Sequence, residues 1–405
     1  MVSSESTLKS LSESGMLLPQ EEMLEVGRKK SNLFIGIPRE TSFQEHRVAL
    51  APDAVAMLAG HGHHVVVESQ AGQASNFSDH AYSEAGAEIK KNAKDVFKAD
   101  FILKVAPPSI REIGMMQHRQ TLLSALQFIV QPKDFIDKLM DKKISAIAWD
   151  YMQDEDCIYP IVRAMGEIAG TTSILIAAEY LSRNEGQRAM LGGISGVAPT
   201  EVVVIGSGTV GEYATRAALG LGASVKVFDN NIYKLRRLQN DIGRRLYTST
   251  MQPDFISTAI ADADVAVGAI RAKQGMTPCV VTEDAVKKMK PGSVIVDVSI
   301  DQGGCFETSE VTNHEDPVFT KYDVTHYCVP NIPSRVPRTA SHALSNIFAP
   351  ILLNIANKGG IDNVIKMNKG IRHGVYMYYG TLTNQFIGER FNIPYQDIDL
   401  LMAAL

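Results

Sequence analysis

Cysteine is scarce in this chain, four residues in 405, and Cys157, Cys279, Cys305 and Cys328 lie far apart with no C-x-x-C pair. That spacing argues against a disulfide framework and a cysteine zinc site, so no metal is expected and a reducing cytoplasm fits best. A surplus of charge is missing too. The 40 basic and 45 acidic side chains leave a formal charge of -5, which gives no electrostatic reason to bind nucleic acid or anionic lipid and favours a small-molecule ligand. Long apolar runs are absent: Ile168 to Leu181 and Ile347 to Ile355, the most apolar stretches, fall short of the roughly 18 residues that suggest a spanning helix. The lead, residues 1–32, is rich in Ser, Glu and Lys and lacks the apolar centre of a signal peptide. It is expected to be disordered, with one short amphipathic helix around Gln20 to Lys30.

What is present is enough chain for two cores, since single cores rarely grow past about 250 to 300 residues. From Leu33 short β-branched runs alternate with helical periods. Strands are expected at Leu33 to Ile37, His63 to Glu68, Phe101 to Val105, Thr121 to Leu126 and Ser145 to Trp149. Helices are expected from Pro52, near Ala87 to Lys98 and at Lys133 to Leu139. This is the pattern of parallel βαβ units. After a long apolar-periodic stretch, Tyr159 to Leu181, a second series begins at Glu201, with strands at Val202 to Ile205, Val225 to Phe228, Asp264 to Ala269, Ser293 to Val298 and Val324 to Val329. Its helices are read up to Leu219, at Tyr233 to Ile242 and at Glu283 to Met289. The fold class is therefore α/β, with two doubly wound parallel-sheet domains. From Pro337 the chain reads as helical and is expected to return to the first domain.

Gly206-Ser207-Gly208-Thr209-Val210-Gly211 follows an apolar strand and opens a helix, the context that turns a weak G-x-G-x-x-G pattern into a dinucleotide fingerprint. Gly206 permits the turn, Gly208 lets backbone approach a pyrophosphate, and Gly211 lets helix pack on strand. Asp229 ends the next strand, placed to accept both ribose hydroxyls, and neutral Asn230 and Asn231 beside it favour NAD over NADP. Ligands of such sheets gather beyond the carboxyl ends of the strands. Three groups fall there: Asp301 with Gln302 to Cys305, Asn331 with Val336 to Thr339, and Arg47, a fork for a substrate carboxylate.

These dispersed motifs, Pro38-Arg39-Glu40 leading to Arg47-Val48-Ala49, Leu191-Gly192-Gly193 through Val197-Ala198-Pro199, the glycine loop, Asp301 to Cys305, and His326-Tyr327-Cys328 to Asn331 with Val336 to Thr339, resemble alanine dehydrogenase and the NAD-binding α subunit of proton-translocating transhydrogenase. The resemblance implies a Rossmann NAD domain, residues 161–337, inserted in a discontinuous substrate domain, residues 33–160 and 338–405. It also implies a homo-oligomer, commonly a hexamer, and reversible NAD-dependent deamination of L-alanine to pyruvate and ammonia. Arg47 would anchor the substrate carboxylate, Asp301 would support the site, and Asn331 joins the cofactor set.

In two places the chain departs from the family pattern. Ala106 stands where the substrate lysine is expected, and Gln127 stands where the proton-handling histidine is expected. Glutamine can hydrogen-bond a keto oxygen but cannot shuttle a proton near neutral pH. Lys104 shares the strand face of position 106 and is the substitute cation, with His46 and His118 as other proton carriers. The alternatives to alanine chemistry are a different amino or keto acid, or an NAD-binding protein with a degraded catalytic centre.

Overall fold

The computed structural model describes residues 31–128, 130–272 and 275–404; the helix expected around Gln20 to Lys30 lies outside them. The first half opens with β1 (Phe34–Ile37), α1 (Pro52–Gly60), β2 (His64–Glu68), α2 (Asp79–Glu84), β3 (Glu88–Lys90) and α3 (Ala93–Val96). It continues with β4 (Phe101–Leu103), α4 (Ile110–Met115), β5 (Thr121–Ser124), α5 (Lys133–Asp141) and β6 (Ser145–Ala148). The central strands are apolar on both faces and are covered by helices, as parallel strands require; in β5 and β6 every residue is buried.

One 23-residue helix, α6 (Pro160–Ser182), then crosses to the second half, where one or two were expected. By length and composition it could span a membrane, but it packs lengthwise on α7 (Thr209–Gly220). Gly170 makes that contact possible, because a Cβ there would lie 2.3 Å from the Val210 carbonyl oxygen.

The second half runs β7 (Glu201–Ile205), α7, β8 (Ser224–Phe228), α8 (Ile232–Ile242), β9 (Tyr247–Ser249), α9 (Pro253–Asp262) and β10 (Val265–Gly268). After these come α10 (Glu283–Val286), β11 (Val294–Asp297), β12 (Val318–Lys321) and β13 (Val324–Tyr327). The chain then returns through α11 (Pro337–Asn357), α12 (Ile361–Met367), α13 (Lys369–His373), β14 (Val375–Tyr378), β15 (Thr381–Leu382), α14 (Gln385–Phe391) and α15 (Ile398–Ala404).

Two sheets result, with orders β15-β14-β6-β5-β4-β1-β2-β3 and β12-β13-β11-β10-β7-β8-β9. In each, the first strand of its series has the second on one side and the fourth on the other. Strand order therefore reverses between β1 and β4 and again between β7 and β10, and such switch points are where α/β sheets bind ligands. Buried Leu344, Phe348 and Leu352 of α11 join Ile35, Val67 and Leu103 in one core, so the C-terminal segment does pack back on the first sheet.

Two expectations need correction. The helix near Ala87 to Lys98 is instead the edge strand β3 followed by the short α3, which Asn92 caps through the Lys94 amide at 3.1 Å. The C-terminal return is not wholly helical either, since β14 adds antiparallel to β6 and pairs with β15. Long-range pairing with Ala146 and Ile147 overrides the local pattern there.

Candidate active site

The dinucleotide loop has the geometry its spacing predicts. Gly206 sits at φ +110°, and a Cβ there would meet the Ala269 carbonyl oxygen, across the switch point just past β10, at 2.5 Å. At Gly211 a Cβ would lie 1.9 Å from the Gly206 carbonyl oxygen, so helix and loop could not close on any larger residue. Gly208 has nothing within 4 Å of its Cβ position and precedes α7 without a side-chain cap. With no side chain capping it, the N-terminus of α7 leaves first-turn amides suited to an anion. These features fit a dinucleotide pyrophosphate.

Asp229 is buried beside this loop, with its Oδ2 accepting from the Ser207 amide and hydroxyl, both at 2.8 Å, and its Oδ1 from the Asn231 amide at 2.8 Å. Three of about four lone-pair positions are then occupied, which leaves one ribose hydroxyl a direct place and requires Ser207 to yield for a second. Asn230 turns the other way, accepting from the Met251 amide at 3.1 Å through its side chain.

Opposite stands the edge of the first sheet. Arg47 is only 7% exposed and forks onto Glu45, with Nε to Oε1 at 2.7 Å and Nη2 to Oε2 at 2.6 Å, while Nη1 meets the Met165 sulfur on α6 at 3.3 Å. Burial would push the Glu45 carboxyl up, but Arg47 outweighs it and holds the group below its ordinary value.

Lys104 does not point into open cleft. Its ammonium is fully buried between Glu40 at 3.1 Å and Glu112 at 3.0 Å. Glu40 in turn accepts from the Val105 amide at 2.6 Å and the Ala106 amide at 3.4 Å, so Lys104 shapes the backbone at the β1/β4 switch point. Ala106 is buried, and Gln127 is exposed in the left-handed region, φ +46°. His46 lines a cavity of about 350 Å³ with Arg39, Glu40, Glu45 and Arg47. His118 is exposed on the turn before β5.

Asn331 joins the two edges. Its backbone amide donates to Asp301 Oδ1 at 3.0 Å and its side-chain nitrogen to Glu45 Oε2 at 3.1 Å. Asp301, Asn331, Glu45 and Arg47 therefore form one polar chain across the cleft. Surrounding protein raises the Asp301 carboxyl above its usual range, opposed by the Asn331 amide, Arg47 and Arg271. Glu45, Glu112 and Met165 were not singled out from sequence, and Glu40 only as part of a motif; the partners they meet in space distinguish them. No cluster of metal-ligating side chains occurs among the described residues.

This arrangement can be set beside known proteins. The alanine dehydrogenase/PNT N-terminal domain matches residues 36–169 and the corresponding C-terminal domain matches residues 173–385. The chain belongs to the alanine dehydrogenase/PNT family. Within that family it is 38% identical to an alanine dehydrogenase of Mycolicibacterium smegmatis over 373 residues, 92% of this chain and 100% of the relative. It is 39% identical to alanine dehydrogenase 2 of Staphylococcus aureus over 367 residues, 90% of this chain and 98% of the relative. A solved L-alanine dehydrogenase superposes with a TM-score of 0.83 at 36% identity, covering 88% of this chain and 99% of the other. A transhydrogenase from Sinorhizobium meliloti shares the fold, TM-score 0.74 at 23% identity, with 87% and 99% covered.

Proposed function

We propose that this member of the alanine dehydrogenase/PNT family is an NAD-dependent amino-acid dehydrogenase that interconverts L-alanine with pyruvate and ammonia. The observation that carries the reading is the polar chain from Asp301 through Asn331 and Glu45 to Arg47, which joins the carboxyl end of β11, in the sheet that bears the dinucleotide loop, to a carboxylate fork on the first sheet.

When bound, NAD supplies the hydride acceptor. The chain's own groups do the rest: Gly206 to Gly211 and Asp229 hold the dinucleotide, with Asn230 beside Asp229 tied to the Met251 amide, and Arg47 takes the substrate carboxylate as its fork shifts from Glu45. Asn331 aligns the two edges, and Asp301 places negative charge where the substrate nitrogen becomes cationic. Lys104 is a positioning residue, since both its carboxylate partners are protein groups. Gln127, at the rim of the first sheet, hydrogen-bonds the keto oxygen.

The substrate unit comprises residues 33–160 and 338–405, and the dinucleotide unit residues 161–337. The enzyme works in the cytoplasm as a homo-oligomer. Exposed Met190, Ile194 and Val197, clustered on the loop before β7, supply apolar surface for contact between copies.

Incubation with NAD and L-alanine, or with NADH, pyruvate and ammonium, changes absorbance at the nicotinamide band. Silence in both directions overturns the assignment to alanine. Ala106 puts a neutral methyl where the family pattern has a cation for the substrate carboxylate, and this favours a second reading, hydride transfer with another amino or keto acid, which a substrate panel in the same assay separates.

A further inference from the structure

Deamination moves protons to and from nitrogen and water, and the group that carries them must change charge near the working pH. Gln127 has no ionisable group, and Lys104 is held by two carboxylates. One carboxylate at the same sheet edge serves neither the fold nor the polar chain. Asp150 is the middle residue of a 3-10 turn, Trp149–Tyr151, that follows β6 at its carboxyl end.

Its neighbours fix that turn. Trp149 Nε1 donates to the Val105 carbonyl at 3.1 Å, fastening the turn to the segment that carries Ala106. Tyr151 lies against Tyr376 at 5.1 Å and Tyr159 at 6.5 Å between ring centroids, and its carbonyl meets His373 Nδ1 at 2.9 Å. Asp150 Oδ1 is enclosed and meets no hydrogen-bond donor among the described residues. The charged and titratable groups around it are Arg271, on the loop after β10, and the phenols of Tyr151 and Tyr376. Arg271 also acts on Asp301, so the two carboxyls share the field of one arginine. Burial pushes the Asp150 carboxyl up to about 6, against its own backbone amide and Arg271.

We propose that Asp150 is the proton carrier of the reaction, a role that presupposes the dehydrogenase reading above. In the deaminating direction its carboxylate takes one proton from the substrate ammonium and passes it to solvent. The freed nitrogen lone pair forms C=N as hydride leaves Cα for the nicotinamide. A water oxygen then bonds to that carbon, its proton going to Asp150 and from there to nitrogen. The C–N bond breaks as C=O forms, and the hydroxyl proton departs with the nitrogen as ammonium.

The test is the pH dependence of kcat with L-alanine, or with whichever amino acid the panel identifies. Wild type rises through a limb centred near pH 6. Asp150→Asn loses that limb and falls by about 10² to 10⁴-fold, Asp150→Glu keeps it, and NADH binding by fluorescence stays within about twofold throughout. Independently of turnover, infrared titration of wild type shows a protonated-carboxyl band vanishing near pH 6 that Asp150→Asn lacks. A limb or band that persists in Asp150→Asn overturns the proposal and leaves the dehydrogenase reading intact, as does a limb abolished by His46→Gln instead. Wild type inert toward every amino and keto acid overturns both.

Discussion

Asp229 shows how one side chain can be set for two partners. In this structure its carboxylate closes the glycine loop through Ser207, and on the proposed reading the same oxygens would accept the adenosine ribose. A 2′-phosphate would meet that negative charge in a buried setting, where repulsion is poorly screened. Wild type accordingly binds NAD more tightly than NADP, and Asp229→Ser weakens NAD by about tenfold or more while narrowing the preference. Titration by nicotinamide fluorescence checks this; equal NAD and NADP affinity in wild type would refute it. The place of Asp229 beside the glycine loop was legible in the sequence, because a carboxylate one strand beyond the glycines falls at that sheet edge. The role proposed for Asp150 was not, since a single aspartate after a short strand has no pattern around it, and only its enclosure and unpartnered oxygen mark it out.

Among elements, the junction of β1, β4 and α4 carries the most concentrated charge. Lys104 directly follows β4, Glu40 follows β1, and Glu112 lies in the first turn of α4, where it forms a capping box with Ser109. Burial works against the Glu112 carboxyl, yet Lys104 and Ser109 hold it below its ordinary 4.5. Lys104→Met strands two buried carboxylates and costs about 3 to 5 kcal/mol. The Glu112 half of the interaction is complete above pH 4.5 and is lost as pH falls through the depressed Glu112 value, whereas burial raises the Glu40 carboxyl above 4.5, so that half takes up its proton first on acidification. Thermal melts should show a large wild-type to variant gap at pH 7 that narrows near pH 4; a gap that widens in acid contradicts the sign. Lys104 itself was visible as a cation on the right strand face, but its partners are distant in sequence, so its structural employment was not. The same limit explains β14 and β15. Four and two residues are too few to show a period, and their pairing partner β6 lies far up the chain.

The whole molecule sets two sheets of like strand order edge to edge, and the order of elements in both series was readable because buried parallel strands are apolar and helices between them are periodic. How the two units meet was not. The contact of Asn331 with Glu45 depends on a loop in the left-handed region, φ +56° at Asn331, closing over a distant strand end. Self-association belongs to this scale as well. Sedimentation velocity on the full chain should give one species several times heavier than the 44.2 kDa protomer, and a sole monomer at micromolar concentration would rule the homo-oligomer out.

The chain completes its first sheet last. As the polypeptide leaves the ribosome, β1 to β6 emerge with the β6 edge bare and with no α11 to cover their apolar face, whereas the second sheet has all its strands before the C-terminal return begins. Nascent protein must therefore carry an unfinished, adhesive sheet while the dinucleotide unit folds beside it. Truncations that remove β14 and α11 should behave as aggregation-prone fragments that still hold a folded nucleotide unit.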